Sequence, residues 1–410
     1  MGENHMINLK TEIKKHTVYY TWNKRLRGIK GNSLYFVFES DISGVPDHVF
    51  NFMFGLFLMD ALVFTGKEIS FSELTDKEEV HLNNILKMNH DSKGCAGRSQ
   101  NRKMPVIHIS ARANDNPPLD TNEIICANGL GKDGLNVALL TKEMGYAPFC
   151  YTVINQYWRD RKVWLERLKT ISKFYKEENI DHMFIKTNFF RIKKNPIGYY
   201  PYALGLPLAY LKDTNVILDG IQIHNNKTRL SDGSFYCPGE THIVFDQVTR
   251  ATEITLSSPL RAISNFGAQK LLANKWSQYL KYQRSCMFGY PWCGKCSKCN
   301  RKALYLKLLG VDHKVLGLPD FNYEKLKLGS YMAVGGSVKQ CLAKLKGVPY
   351  ETWIEGANEN ALAEIWNGDK LKEILSEYFE IYREDPGPDG EGYTLEPSKW
   401  KAMKKEIPTL

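Results

Sequence analysis

Four cysteines crowd together as Cys286, Cys293, Cys296 and Cys299 in the segment CMFGYPWCGKCSKC. Two overlapping CxxC steps, with a fourth thiol one short loop upstream, can wrap a tetrahedron of sulfurs around Zn²⁺ at about 2.3 Å. Gly294 permits the turn, and Lys295 and Lys298 offset the charge of four thiolates on a dication. A four-thiolate shell leaves no open position, so the expected role is structural. Two alternatives stay open: unligated thiols and an iron–sulfur cluster. The bacterial ferredoxin run has a different spacing and a proline after its last cysteine. Cys95, Cys126, Cys150, Cys237 and Cys341 are scattered and read as core residues.

A second chemical pattern is residues 124–136 (IICANGLGKDGLN), which put Gly129, Gly131 and Gly134 between an apolar run and a helical one. Glycine there lets backbone N–H groups point into one concavity, and the helix N-terminus adds partial positive charge. Both favour a phosphate oxyanion. Lys132 adds a point charge, and Asp133 is a candidate ligand for Mg²⁺ bridging phosphate oxygens. The spacing does not match the Walker loop, which ends in GK[ST]. A tight strand–helix turn without a ligand is the alternative.

These patterns need a scaffold, and the chain is long enough for one. It has 410 residues, 43% hydrophobic and 24% charged, which excludes a disordered chain, a collagen and a disulfide miniprotein. Lys and Arg number 55 against 45 Asp and Glu, a net +10 that suits a phosphate-bearing ligand or RNA without choosing between them. Met1 to Lys30 lacks a secretory apolar run, and clustered cysteines without an export signal point to metal rather than disulfides. A cytoplasmic protein is expected. The longest apolar stretch, residues 49–64, is broken by Asn51 and Asp60 and is shorter than the roughly 20 residues of a membrane span. It reads as a buried helix entered through Pro46 and Asp47, and no membrane partner is expected.

Residues 1–118 read as a mixed α/β N-terminal domain, with a strand at 34–39, a polar loop at 89–103 and a short apolar segment at 105–109. Strand-like runs follow at 123–127, 147–154, 183–186 and 216–219, alternating with helical patterns at 135–144, 157–176 and 202–211. Such alternation argues for a parallel sheet covered by helices on both faces. A helix at 262–281 leads into the cysteines and another at 302–309 follows them. Amphipathic pieces near 360–366 and 370–382 complete the chain. The expected units are 1–118, a nucleotide-binding domain at 119–285, the cysteine motif at 286–310 and a helical extension at 311–410.

The segment from Gly129 to Gly134 (GLGKDG) resembles the SGGxDS loop of the PP-loop ATP pyrophosphatases, which bind ATP and adenylate a substrate with release of pyrophosphate. Gly129 and Gly134 stand where that family has serines, and Leu130 where it has a glycine. With the cysteine pattern downstream, the chain is similar to the cyano-deazaguanine (queuosine-precursor) synthases, over residues 121–310. It is also similar to the ATP-dependent epimerases that invert the terminal glutamate of a UDP-muramoyl dipeptide. The resemblance implies an α/β fold: a doubly wound, mostly parallel sheet of the PP-loop (HUP-like) type with a four-cysteine zinc motif and terminal additions. It implies ATP held by Gly129, Leu130, Gly131, Lys132, Asp133 and Gly134, with Tyr151 and Thr152 where the family's chain passes the adenine.

Gly220 closes the probable strand at 216–219 and is a candidate nucleotide contact; the candidate catalytic residues are Lys132, Asp133 and, just beyond that strand, His224 as acid–base or substrate ligand. Arg261 is a candidate contact for an acyl phosphate, and 191–194 (RIKK) is expected to be a solvated loop, with RNA contact as the alternative. The function expected is an adenylating enzyme that activates a carboxylate or amide for amide or nitrile formation. The epimerase is one alternative, separable by deuterium uptake at the inverted carbon. A binding subunit that kept the fold and zinc but lost ATP is the other. Expected partners are ATP and a small-molecule or peptide carboxylate acceptor, with a homodimer left open.

Overall fold

The computed structural model of the chain describes residues 6–63, 65–95, 103–114, 123–155, 161–193, 201–221, 228–229, 235–236, 242–260, 263, 265–286 and 291–320. The chain opens with a meander, β1 (Met6–Lys14), β2 (Thr17–Trp22) and β3 (Ser33–Val37), paired antiparallel. Period-two alternation sends Ile7, Leu9, Val18, Tyr20, Leu34 and Phe36 into the core and leaves Lys10 and Tyr19 outside. The apolar stretch forms α1 (Asp47–Phe57) and α2 (Met59–Val63), with Leu58 closing the first. Apart from Asp47, α1 is buried all round, which is why it is hydrophobic on every side. Its polar interruption is satisfied there: Asn51 Nδ2 donates to the Glu73 carbonyl (2.7 Å) and to Ser72 Oγ (3.2 Å).

Next come β4 (Glu68–Leu74), parallel to β1, then α3 (Asp76–Cys95) and β5 (Ile107–Arg112), parallel to β4. Residues 89–95, expected in a loop, continue α3. The Asn89 side chain donates to the Ile85 carbonyl one turn back (2.9 Å), so a polar sequence is accommodated within the helix. Among the described residues no helix is long and apolar enough to cross a membrane.

The second half runs β6 (Glu123–Ala127), α4 (Lys132–Glu143), β7 (Ala147–Asn155), α5 (Arg161–Glu178), β8 (Asp181–Thr187), α6 (Phe189–Ile192), α7 (Gly205–Leu211) and β9 (Val216–Leu218). The two-residue ladder of β10 (Thr228–Arg229) and β11 (Phe235–Tyr236) precedes α8 (His242–Thr252), β12 (Thr255–Ser257), α9 (Asn265–Asn274) and α10 (Ser297–Leu308). Strands β12, β9, β6, β7 and β8 lie side by side and parallel. Ile124, Cys126, Cys150 and Leu218 enter one core with α4, α5 and α9, whereas Ile125, Phe149, Tyr151 and Ile217 enter another with α1, α7 and α8. Both faces are therefore covered, as the strand–helix alternation implies.

At β8 the two halves join. β3 pairs with it antiparallel through Phe36↔Thr187 and Val37↔Lys186, giving one ten-stranded sheet, β12-β9-β6-β7-β8-β3-β2-β1-β4-β5. Six of its nine neighbouring pairs are parallel. The sheet runs without a break across the boundary drawn at residue 118, and Phe36, Phe57, Phe149 and Leu206 share one core.

Residues 262–281, expected as one helix, resolve into α9 and a 3₁₀ segment, Ser277–Tyr282. Trp276 lies between them at φ −130°, ψ 45°, with its side chain buried in the core, and it breaks the helix. Phe189–Ile192 places Arg191 and Ile192 of the expected loop at 191–194 in a short helix. Beyond α10 the described chain closes with a 3₁₀ turn at His313–Leu316. The pieces at 360–366 and 370–382 lie outside the described residues.

Chain order reverses at β6: β7 and β8 lie to one side of it, β9 and β12 to the other. In open α/β sheets such a reversal leaves a crevice beyond the carboxyl ends of the strands.

Candidate functional site: a cationic cleft beside a four-sulfur cluster

Between β6 and α4 the turn at residues 128–131 is fastened by Asn128. Its N–H donates to the Tyr151 carbonyl (3.0 Å), and its own carbonyl accepts from the hydroxyls of Thr152 and Tyr175, the latter at 3.0 Å. Its side-chain Oδ1 accepts the Leu130 N–H (2.9 Å), an Asx turn. Leu130 stands in the left-handed region at φ +56°, which costs a non-glycine residue about 1–2 kcal/mol. Its side chain is fully buried in the core, which returns about 1.5–3 kcal/mol and explains how leucine is tolerated. Gly131 caps α4.

Gly134 has no space for a side chain. A Cβ there would fall 2.6 Å from Asn128 Oδ1 and 2.8 Å from Asn128 Cα. The Asn128 side chain and backbone occupy that space. Gly220, just past β9, lets that strand end approach α4: a Cβ would fall 2.7 Å from the Asp133 Cβ.

The cysteines converge as their spacing predicts. The four sulfurs lie within 4.8 Å of one another, with Cys286–Cys296 at 4.0 Å, Cys293–Cys299 at 3.8 Å and Cys296–Cys299 at 3.4 Å. A tetrahedron with metal–sulfur legs of about 2.3 Å has edges of about 3.8 Å. The cluster can therefore hold a metal ion such as zinc in a closed shell. The Cys293 N–H points at Cys286 Sγ (3.3 Å) and the Lys295 N–H at Cys293 Sγ (3.5 Å), contacts that favour thiolates. Buried Trp292 ties the knot to the following turn through its indole N–H and the Leu316 carbonyl (2.6 Å). Cys126 and Cys150 are buried register neighbours on β6 and β7, core residues as expected.

Between the turn and the cluster opens a cleft of about 210 Å³. Gly129, Gly131 and Asp133 form one side, and Ser285 and Cys286 another. Five cations complete it: Arg167 from α5, Arg284, and Lys298, Arg301 and Lys302 from α10. The three on α10 sit at i, i+3 and i+4, so they share one helical face. Arg167 spans the two motifs, its Nη2 donating to the Gly129 carbonyl (3.3 Å) and its Nη1 to the Cys286 carbonyl (3.4 Å). The Arg284 N–H donates to the Leu130 carbonyl (2.6 Å).

Charge in the cleft is lopsided. Asp133 is the one carboxylate in the described lining, and it is ion-paired with Lys132, which is 1% exposed. Burial draws the Lys132 pKa down to about 8, against the pull of Asp133. Desolvation works to raise the Asp133 pKa, but Lys132 and Lys302 outweigh it and hold the carboxyl below its usual range. Lys302 is also 1% exposed; its ammonium lies 6.0 Å from the centroid of the Tyr305 ring and feels the attraction of Asp133. Burial, then the repulsion of Lys132 and Arg301, pushes its pKa well below that of a free lysine. Buried cations without a direct counter-charge are costly, and charge-assisted bonds to a multiply charged oxyanion relieve that cost.

Of the residues singled out in the sequence, Gly129, Gly131, Asp133, Cys286 and Lys298 meet in the cleft. Lys132 stands behind Asp133, while Leu130 and Gly134 pack the turn from within. Tyr151 and Thr152 line no part of this cleft: the Tyr151 hydroxyl donates to the Pro201 carbonyl (3.0 Å) and that of Thr152 to Asn128. His224 and Arg261 lie outside the described residues. Arg167, Arg284, Arg301 and Lys302 were not singled out. The available signal was the K-x2-R-K run at 298–302, which passes through Cys299. Compared with known families and with curated proteins, the chain matches none.

Proposed function

We propose that the protein is an ATP-dependent adenylating enzyme whose triphosphate lies in the cationic cleft. The observation that carries this reading is the cleft's composition: five cations and two glycine backbones around one carboxylate, at the point where strand order reverses. In this reading a carboxylate or amide oxygen of the acceptor attacks the α-phosphorus, and the bond from that phosphorus to the bridging oxygen breaks. Pyrophosphate leaves with the bonding pair, against Lys298, Arg301, Lys302 and Arg284. An amine or ammonia then displaces AMP from the acyl adenylate and loses a proton. Fixed cations facing the leaving oxyanion supply the main rate term in such chemistry.

Asp133 is the residue that would hold Mg²⁺, which neutralises phosphate charge when bound. Cys286, Cys293, Cys296 and Cys299 would hold zinc, whose closed shell gives it a structural part only. Carboxylate-dependent ATP/pyrophosphate exchange tests the reading. Exchange with at least one acceptor is expected. Absence of exchange, together with no shift of melting temperature by ATP, overturns it.

One observation favours a second reading. The serine position at Gly134 is closed by Asn128, so the turn offers fewer hydroxyl donors than the resembling family. A binding subunit that holds a phosphate without chemistry fits that remodelling. A thermal shift with ATP and no exchange across a broad acceptor panel would select it.

A further inference from the structure

The cysteine cluster and the cleft share a wall. Cys286 belongs to both, and Arg167 bridges its carbonyl to that of Gly129. Cys296 caps α10 and Cys299 lies in its first turn, and the same helix carries Lys298, Arg301 and Lys302 into the cleft. Three like charges on one helical face repel one another, and Lys302 is desolvated besides. Left to itself such a helix end would turn its cations toward water.

Two features oppose that. Ala303 and Leu306 anchor the other side of α10 in the core, and the four sulfurs gather its N-terminal end. The gathering also has an electrostatic sense. Four thiolates around a dication carry a net charge of −4 + 2 = −2 beside the cationic face, whereas four thiols carry none.

We propose that metal in the cluster and oxyanion in the cleft bind with positive coupling, the α10 cations and Cys286 carrying it. Loss of the metal then releases the phosphate ligand, and the phosphate ligand retards loss of the metal. Linkage makes the two effects equal in free energy, and couplings of this kind amount to roughly 5–150-fold. The inference rests on the phosphate reading of the cleft.

The test uses the metal-loaded full chain, with inorganic pyrophosphate as the probe. Calorimetry first establishes whether pyrophosphate binds. Transfer of the metal to a chromophoric chelator is then timed with and without pyrophosphate, in the wild type and in Lys302→Met. The variant reports any extraction of metal by pyrophosphate itself. The expected result is transfer slowed about tenfold by pyrophosphate in the wild type relative to the variant. If pyrophosphate binds but the two proteins release metal alike, the coupling is overturned and the phosphate reading stands. If pyrophosphate does not bind the loaded wild type, the phosphate reading falls and takes the coupling with it.

Discussion

Lys302→Met should make the protein more stable and a poorer ligand binder at once. Lys302 is buried and faces the cleft. Its pKa is pushed well down by burial and by Lys132 and Arg301. Burying a cation is costly, so an isosteric apolar chain at this position should add about 1–2 kcal/mol of stability. Binding moves the other way. A charge-assisted hydrogen bond to phosphate contributes about 1.5–3 kcal/mol, or roughly 10–150-fold in Kd. Urea unfolding and pyrophosphate calorimetry on the same preparations measure both. A variant that is less stable, or one that binds pyrophosphate as the wild type does, refutes the assignment of Lys302 as a desolvated anion ligand.

Gly134→Ser should cost about 1–3 kcal/mol in urea unfolding, because its Cβ meets Asn128 backbone at 2.8 Å, whereas Gly129→Ser, with no atom within 4 Å of its Cβ, should change little. Burial holds the Lys132 pKa near 8, so above that pH the unfolded chain keeps a proton that the folded chain has released. Its contribution to stability therefore rises with pH from about 8 to 10.5, while pyrophosphate affinity falls as the cleft loses charge. Unfolding and calorimetry at intervals across that window check both signs, and Lys132→Met should show a shallower rise, since Lys298 and Lys302 are shifted the same way. Elemental analysis should find one metal ion per chain, and chelation should lower the melting temperature and loosen α10, read by hydrogen exchange at residues 297–308.

Much of this architecture was legible because its signals are local. The apolar run EIICA, the glycine turn and the run LNVALLTKEM lie within one another's reach along the chain, and β6, the turn and α4 follow from them. The cysteine spacing likewise encodes its own geometry. Partner choice over distance is different. Nothing in LYFVFE says that β3 will pair with β8. The cleft's cations suffered similarly, since Arg167, Arg284 and Lys302 come from three segments and each alone resembles a solvated surface charge. The break at Trp276 escaped because a large apolar side chain sought the core at the expense of helical backbone.

The seam between β3 and β8 has a consequence during synthesis. The Tyr35 N–H is satisfied by Asn188 Oδ1, 153 positions further along the chain, and only two residue pairs make the strand junction. At ribosomal speeds of 5–20 residues per second, the nascent meander waits roughly 8–30 s with an open edge. An unfinished chain is therefore sticky along β3 until β8 emerges. Slow codons between the two strands would lengthen that exposure, and holdase chaperones would find their natural footing there.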